Sequence, residues 1–161
     1  ATWWWRSFFI VFFLQGIILW SVATPLLAAQ FSAKPDQLIW IDFLAIPIWL
    51  FGFYFETIGD WQLARFKTNR ANKGKVLHTG VWRYTRHPNY FGDATQWWAY
   101  YLLAVAAGGW WTIFSPILMT TLLMRVSGVS LLEKTLKEEK PGYKEYVETT
   151  SEFIPWFPRK K

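Results

Sequence analysis

Residues 8–29 read FFIVFFLQGIILWSVATPLLAA, a run of 22 positions without a charged side chain. A helix of that length spans about 30 Å, the thickness of the hydrocarbon core of a bilayer. Of the 161 residues, 53% are hydrophobic and 21% aromatic, and a soluble protein of this size cannot bury so many large rings. The sequence therefore predicts an integral membrane protein.

Three further apolar segments predict an all-α, multi-pass transmembrane helical bundle with about four spans. The predicted spans are 8–29, 37–58, 94–107 and 110–124. Between the second and third spans, three glycines are predicted to mark turns: Gly59, Gly74 and Gly80. The same stretch holds most of the bases: Arg65, Lys67, Arg70, Lys73, Lys75, Arg83 and Arg86. Because cytoplasmic loops carry an excess of Lys and Arg, this segment and the C-terminal tail are predicted to lie on the cytoplasmic side.

The composition excludes several kinds of site. The chain has no cysteine, so disulfides, thiolate metal sites and cysteine nucleophiles are ruled out. Its two histidines lack HExxH spacing, so no metal site is predicted, and the sequence contains neither a GxGxxG nor a Walker pattern. The formal charge of +6 lies in loops beside apolar spans, which favours membrane lipids over nucleic acid as a partner.

The segment RYTRHPNYFGD, residues 83–93, concentrates polar chemistry beside the third span. It offers a guanidinium, an imidazole, an amide, a phenol and a carboxylate: Arg86, His87, Asn89, Tyr90 and Asp93. Because a residue before proline is disfavoured in a helix, the backbone is expected to turn at His87. The charged members can form a capping network for a membrane helix, or a His–Asp pair for acid–base work without a Ser or Cys nucleophile.

Two other segments bring charge to the same membrane face. DWQLARFK begins at Asp60 and ends at Lys67. It is either a solvated helix end with a salt bridge, or a site where Asp60 meets hydroxyl or amide groups and Arg65 or Lys67 meets phosphate. Arg125 closes the fourth span, where it either snorkels to lipid headgroups or joins Glu133 and Tyr143 in a site. A charged helix is predicted over 133–140. Cations, hydrogen-bonding groups and rings on one face fit a large, anionic, partly aromatic ligand.

Four runs together closely resemble the bacterial steroid 5α-reductase-like family: DWQLARFK, GKVLHTGVWRYTRHPNYFGD, SPILMTTLLMRVSGVSLLEK and PGYKEYVETTSEFIPW. NYFGD is similar to the Asn-Tyr-Phe-Gly-acid run of steroid 5α-reductases. RHPNYFGD resembles the RHPNYLGD run of sterol Δ14-reductases. The likeness covers nearly the whole chain.

The resemblance implies an NADPH-dependent oxidoreductase that reduces a carbon–carbon double bond in a steroid-like or other lipid enone, in the bacterial inner membrane. The residues expected to bind NADPH are Asp60, Lys67, Arg86, His87, Asn89, Tyr90, Asp93, Arg125, Glu133 and Tyr143. One departure concerns the segment after Arg125, where 5α-reductases have histidines and a tyrosine. This chain has Val129, Ser130 and Glu133 at those positions.

No catalytic residue is assigned. In 5α-reductases the substrate carbonyl is polarised by a Tyr/Glu pair on earlier helices, and this sequence does not contain those helices. Residues 1–161 are therefore expected to be the C-terminal part of such a membrane domain. Two alternatives stay open: an S-adenosylmethionine-dependent methyltransferase of the isoprenylcysteine type, which shares the RHPxYxG pattern, and a non-enzymatic membrane protein that binds lipids.

Overall fold

The computed structural model describes residues 3–33, 35–126, 129, 133, 135–136 and 140–159. We number the helices of this part of the chain α1 to α5: Trp3–Phe31, Trp40–Thr68, Pro88–Ala106, Trp110–Val126 and Tyr143–Thr149. Across the described residues, β-pairing is limited to one isolated bridge between Thr85 and Ser151. The all-α class is therefore confirmed for the part of the chain that the structure describes.

Two of the helices in the described ranges, α1 and α2, are long and apolar enough to cross a membrane, each with 29 residues. The third predicted span corresponds to α3, which begins with Pro88 at its first position, where proline's missing N–H costs no hydrogen bond. The fourth corresponds to α4, which is apolar but shorter than α1 and α2. Four helices thus correspond to the four predicted spans, although α3 begins six residues before the predicted boundary at 94. Two of the four meet the length and hydropathy of a membrane span.

Helix α2 continues ten residues past the predicted boundary at 58 and ends at Thr68. The turn predicted at Gly59 is therefore wrong, since Gly59 lies inside the helix and packs against Pro88. Gly74 and Gly80 do occupy the left-handed region, with φ of 78° and 64°, as the predicted turns require. As a consequence, Asp60 and Lys67 lie on the same rigid helix as the apolar segment.

Helices α2 and α3 pack backbone against backbone. A Cβ atom added at Gly92 would lie 2.5 Å from the carbonyl oxygen of Gly52 and would also meet the backbone nitrogen of Glu56. Such an approach needs glycine on both helices, as in small-residue contacts between membrane helices. This crossing fixes how the polar ends of α2 and α3 face each other.

Helix α1 is anchored only near its C-terminal end. Its buried residues are Val22, Thr24 and Pro25, and the hydroxyl of Ser115 on α4 donates to the Val22 carbonyl at 2.6 Å. The preceding segments, Trp3–Ser7 and Phe8–Phe13, contain no buried residue. The first half of α1 thus presents its aromatic rings outward from the described structure.

The C-terminal segment folds back onto the turn before α3. The hydroxyl of Thr85 donates to the Phe153 carbonyl at 2.8 Å, and the amide of Arg86 donates to the Ser151 carbonyl at 2.9 Å. Half of the helix predicted over 133–140 falls outside the described residues, and Glu133, Thr135 and Leu136 are helical. This return of the chain brings the C-terminal tyrosines next to the RHPNY segment.

Candidate functional site

Two polar contacts bridge α2 and α3 next to the glycine crossing. The side-chain amide of Asn89 donates to Asp60 at 3.0 Å, and the amide of Gln96 donates to Glu56, one helical turn earlier in α2. Asp93 lies half-buried between these contacts along α3. Asp60 and Asn89 lie on two closely packed helices, and their hydrogen bond orients the Asn89 amide.

A buried ionic network, formed by Arg86, His87 and Glu133, closes the base of the site. Arg86 Nε donates to Glu133 Oε1 at 2.6 Å, and His87 Nε2 lies 3.3 Å from the same oxygen. Arg86 Nη1 also donates to the Val147 and Thr150 carbonyls at 3.1 and 2.7 Å. Arg86 thereby holds the C-terminal segment, and its positive charge is balanced by Glu133.

The electrostatics of the network follow from its partners. Burial alone would raise the pKa of Glu133, but hydrogen bonds from His87 and Arg86 and their charges hold this pKa at about 2, below its ordinary value of 4.5. Burial raises the pKa values of Tyr143 and Tyr146, and the negative charge of Glu133 adds to both shifts. Both phenols therefore stay protonated and can act as hydrogen-bond donors at neutral pH.

A cleft of about 780 Å³ opens directly above this network. Five cationic side chains line it: Lys67, Arg70, Lys73, Arg86 and Lys140. Five aromatic rings also line it: Phe66, Trp82, Tyr90, Tyr143 and Tyr146. The amides of Asn69, Asn72 and Asn89 complete the polar lining, and the described lining residues include no carboxylate. The cleft thus combines positive charge, flat surfaces and amide groups, and its volume lies within the roughly 300–1,000 Å³ of small-molecule sites.

The structure brings six of the ten residues expected to bind a cofactor to the walls of this cleft. These are Lys67, Arg86, His87, Asn89, Tyr90 and Tyr143. Asp60 lies just outside the lining and holds Asn89. Asp93 lies further along α3, and Glu133 is buried beneath the cleft. Arg125 is exposed at the end of α4 and does not line the cleft.

Sequence reasoning did not assign Arg70, Lys73 or Lys140 to the site. Arg70 and Lys73 were visible only as part of the base-rich segment between spans, and Lys140 only as a base before a Pro-Gly turn. The pairing of Arg86 with Glu133 was not visible either, because 47 residues separate them in the chain. The parallel stacking of Tyr90 on His87, with ring centres 5.7 Å apart, follows from their spacing only once α3 is seen to begin at Pro88.

A family model described as "Protein of unknown function (DUF1295)" matches residues 1–150. The chain belongs to this family. The match includes the whole of α1 to α5 and every residue that lines the cleft, so the site described above lies within the region that defines the family.

The chain is also similar to the uncharacterized protein C594.04c of Schizosaccharomyces pombe, with 24% identity. The aligned region covers 92% of this chain and 48% of the yeast protein, so the chain spans about half the length of the curated relative it matches. No solved structure matches the chain significantly.

Proposed function

We propose that this chain is the cofactor-binding part of an NADPH-dependent membrane oxidoreductase of the steroid 5α-reductase-like kind. It would reduce a carbon–carbon double bond in a steroid-like or other lipid enone. In this proposal α1 and α2 cross the bacterial inner membrane, and the cleft lies on the cytoplasmic side. The observation that carries the proposal is the cleft, which gathers residues from three segments that the family resemblance singled out independently.

The residues of the cleft fit a dinucleotide phosphate. Phosphate groups require cations, and Lys67, Arg70 and Lys73 come together from the end of α2 and the loop that follows it. The planar rings of a dinucleotide pack well against aromatic side chains, and Tyr90 of α3 and Tyr143 of the C-terminal segment line the cleft. When bound, NADPH would supply a hydride to one carbon of the double bond, and a proton from an acid or water would complete the reduction at the other carbon.

Within this proposal, Asn89 orients the reacting end of the cofactor. Its amide N–H is held by Asp60, and its side-chain oxygen remains able to accept a hydrogen bond from a ligand in the cleft. The crossing of α2 and α3 keeps that oxygen in place, which is the kind of positioning that catalysis requires. Arg86 acts through the fold instead, because its charge is already balanced by Glu133.

Lys67→Ala is expected to weaken NADPH binding roughly tenfold or more, because a charge-assisted contact contributes about 1.5–3 kcal/mol. Lys144→Ala is the matched control, since Lys144 is exposed on α5 and does not line the cleft. Calorimetry of the full-length protein in detergent measures both affinities. Equal NADPH affinity in Lys67→Ala and Lys144→Ala would show that the cleft does not hold the phosphates, and absence of NADPH binding by the parent protein would refute the proposed function.

Asn89→Ala is expected to lower kcat more than it raises KM for NADPH. The substitution removes an orienting amide but none of the cations, so the cofactor binds in less productive geometries. Steady-state kinetics with a lipid enone separate the two parameters. The placement of the reacting end near Asn89 fails if Asn89→Ala retains the parent kcat.

The full-length protein in detergent also distinguishes the proposed reductase from the two alternative functions, a methyltransferase and a lipid-binding protein. A methyltransferase would bind S-adenosylmethionine in competition with NADPH, which competitive calorimetry detects. A lipid-binding protein without enzymatic activity would bind neither nucleotide. Saturable binding of NADPH that S-adenosylmethionine does not displace is the result expected here.

A further inference from the structure

The C-terminal segment carries an apolar patch on a backbone that is held in place. The amide of Trp156 donates to the Tyr84 carbonyl and the amide of Arg159 donates to the Thr149 carbonyl, both at 2.9 Å. Despite these anchors, three large side chains between and beside them point outward: Ile154, Trp156 and Phe157 are 67%, 70% and 76% exposed. We call these three residues the tail patch. Its exposure is a property of the fold, because the backbone that carries it is fixed by hydrogen bonds.

The tail patch lies at the level where α2 leaves its apolar part. Phe153, which precedes the patch and is buried, contacts Phe91 with ring centres 5.9 Å apart, and Phe91 contacts Phe55 at 5.4 Å. Phe55 is the last residue of the uncharged run 43–55, and the next residue is Glu56. A chain of packed rings thus connects the tail patch to the boundary between the apolar and polar parts of α2.

A basic groove adjoins the tail patch. It has a volume of about 1230 Å³, and Lys73, Lys75, His78 and Arg83 line it from the loop before α3. Lys73 lines the cleft as well. Pro158, the residue after Phe157, lines it from the tail, and Glu145 is the acidic residue in the described lining. Bases beside exposed aromatic residues are the combination found where proteins contact anionic lipid headgroups.

We propose that the tail patch inserts into the boundary between headgroups and acyl chains, and that the basic groove binds the headgroup of an anionic phospholipid. The inference rests on the membrane placement of α2 in the proposed function. Trp and Phe are well suited to this depth, because their rings are apolar and tolerate the polar boundary. The bilayer is the occupant that the structure favours, since packed rings connect the patch to the end of the apolar part of α2 and the adjoining groove is lined by bases.

The test uses a nitroxide label on Phe157→Cys, which is the unique labelling site because the chain contains no cysteine. In lipid vesicles, electron paramagnetic resonance compares the accessibility of the label to oxygen, which enters the bilayer, and to a water-soluble nickel chelate. Phe43→Cys, in the apolar part of α2 and 62% exposed, is the bilayer reference. Thr68→Cys, exposed at the end of α2, is the aqueous reference.

We expect the oxygen-to-nickel ratio at position 157 to lie between the two references and well above that at Thr68→Cys. A ratio equal to that at Thr68→Cys overturns the inference, and protection from both reagents overturns it in favour of a protein partner or a second copy. If Phe43→Cys itself reads as aqueous, the membrane placement fails and the inference fails with it. If Phe43→Cys reads as lipid while position 157 does not, only the inference fails.

A separate experiment tests whether the basic groove binds a lipid headgroup. Vesicles of phosphatidylcholine are compared with vesicles containing roughly a third phosphatidylglycerol, whose charge attracts bases at the surface. We expect the anionic lipid to shift the ratio at position 157 toward lipid, and the double variant Lys75→Gln/Arg83→Gln to lose that shift. Both substituted residues line the groove and not the cleft. A shift that the double variant retains, or no shift at all, overturns the headgroup site.

Discussion

Glu133→Ala is expected to lower the free energy of unfolding by about 3–5 kcal/mol, because it leaves the buried guanidinium of Arg86 without its counter-charge. Arg86 and Glu133 are both more than nine-tenths buried, and their bond of 2.6 Å joins segments 47 residues apart. Since Arg86 also donates to the Val147 and Thr150 carbonyls, its displacement releases the C-terminal segment from the turn before α3. Thermal unfolding in detergent measures the loss.

Glu152→Ala is the matched control, because Glu152 carries the same charge on the same C-terminal segment but is exposed. Its free energy of unfolding is expected to lie within about 0.5 kcal/mol of that of the parent, as for most surface substitutions. If Glu133→Ala and Glu152→Ala unfold at the same temperature, the ionic network does not hold the C-terminal segment.

The ion pair of Arg86 and Glu133 also makes the free energy of unfolding depend on pH. The pKa of Glu133 is about 2 in the folded protein, against an ordinary value of 4.5 in the unfolded chain. A carboxyl whose pKa is lowered by folding stabilises the folded protein fully at pH values above its pKa in the unfolded chain. This stabilisation is lost as the pH falls toward its pKa in the folded protein. The parent protein is therefore expected to lose stability between pH 4.5 and about 2, and Glu133→Ala to lose this part of the dependence.

Gly92→Ala is expected to destabilise the protein by about 1–3 kcal/mol, because an added methyl group would meet the backbone of α2 at Gly52 and Glu56. Backbone atoms cannot rotate away as side chains can, so α2 and α3 must separate. Separation of the helices would also stretch the contact of 3.0 Å between Asn89 and Asp60. Under the proposed function, NADPH affinity and turnover therefore fall together with stability.

Gly16→Ala is the control for Gly92→Ala. Gly16 also lies within a helix, but a Cβ added there has no neighbour within 4 Å. Because alanine favours helices by up to about 1 kcal/mol over glycine, Gly16→Ala is expected to be neutral or stabilising. Thermal unfolding of both variants in the same detergent makes the comparison, and a stable Gly92→Ala would show that the crossing of α2 and α3 is looser than described.

Much of the architecture was predictable from local sequence alone. Uncharged runs located the helices, since apolar length determines whether a segment can cross a bilayer. The proline of RHPNY predicted a turn at His87, but the span after it was predicted to begin at 94, six residues later than α3 begins. The polar residues of this segment were identified because such side chains are unusual next to apolar spans.

What the sequence could not determine was which of those polar residues face a ligand and which face each other. Arg86, His87 and Glu133 have the same chemistry as ligand-binding residues, and only the return of the C-terminal segment makes them partners in the described structure. The continuation of α2 through Gly59 likewise depends on its contact with Pro88 of α3. Local sequence determines helix-forming tendency and hydropathy, whereas pairings across many residues depend on how the helices cross.

For this protein, the sequence by itself determined an all-helical, membrane-compatible chain with one polar end. The tertiary structure decided that Lys67, Arg70 and Lys73 line a cleft and that the buried Arg86 at its base is paired with Glu133, because an ion pair removed from water is stable only where the fold supplies both charges.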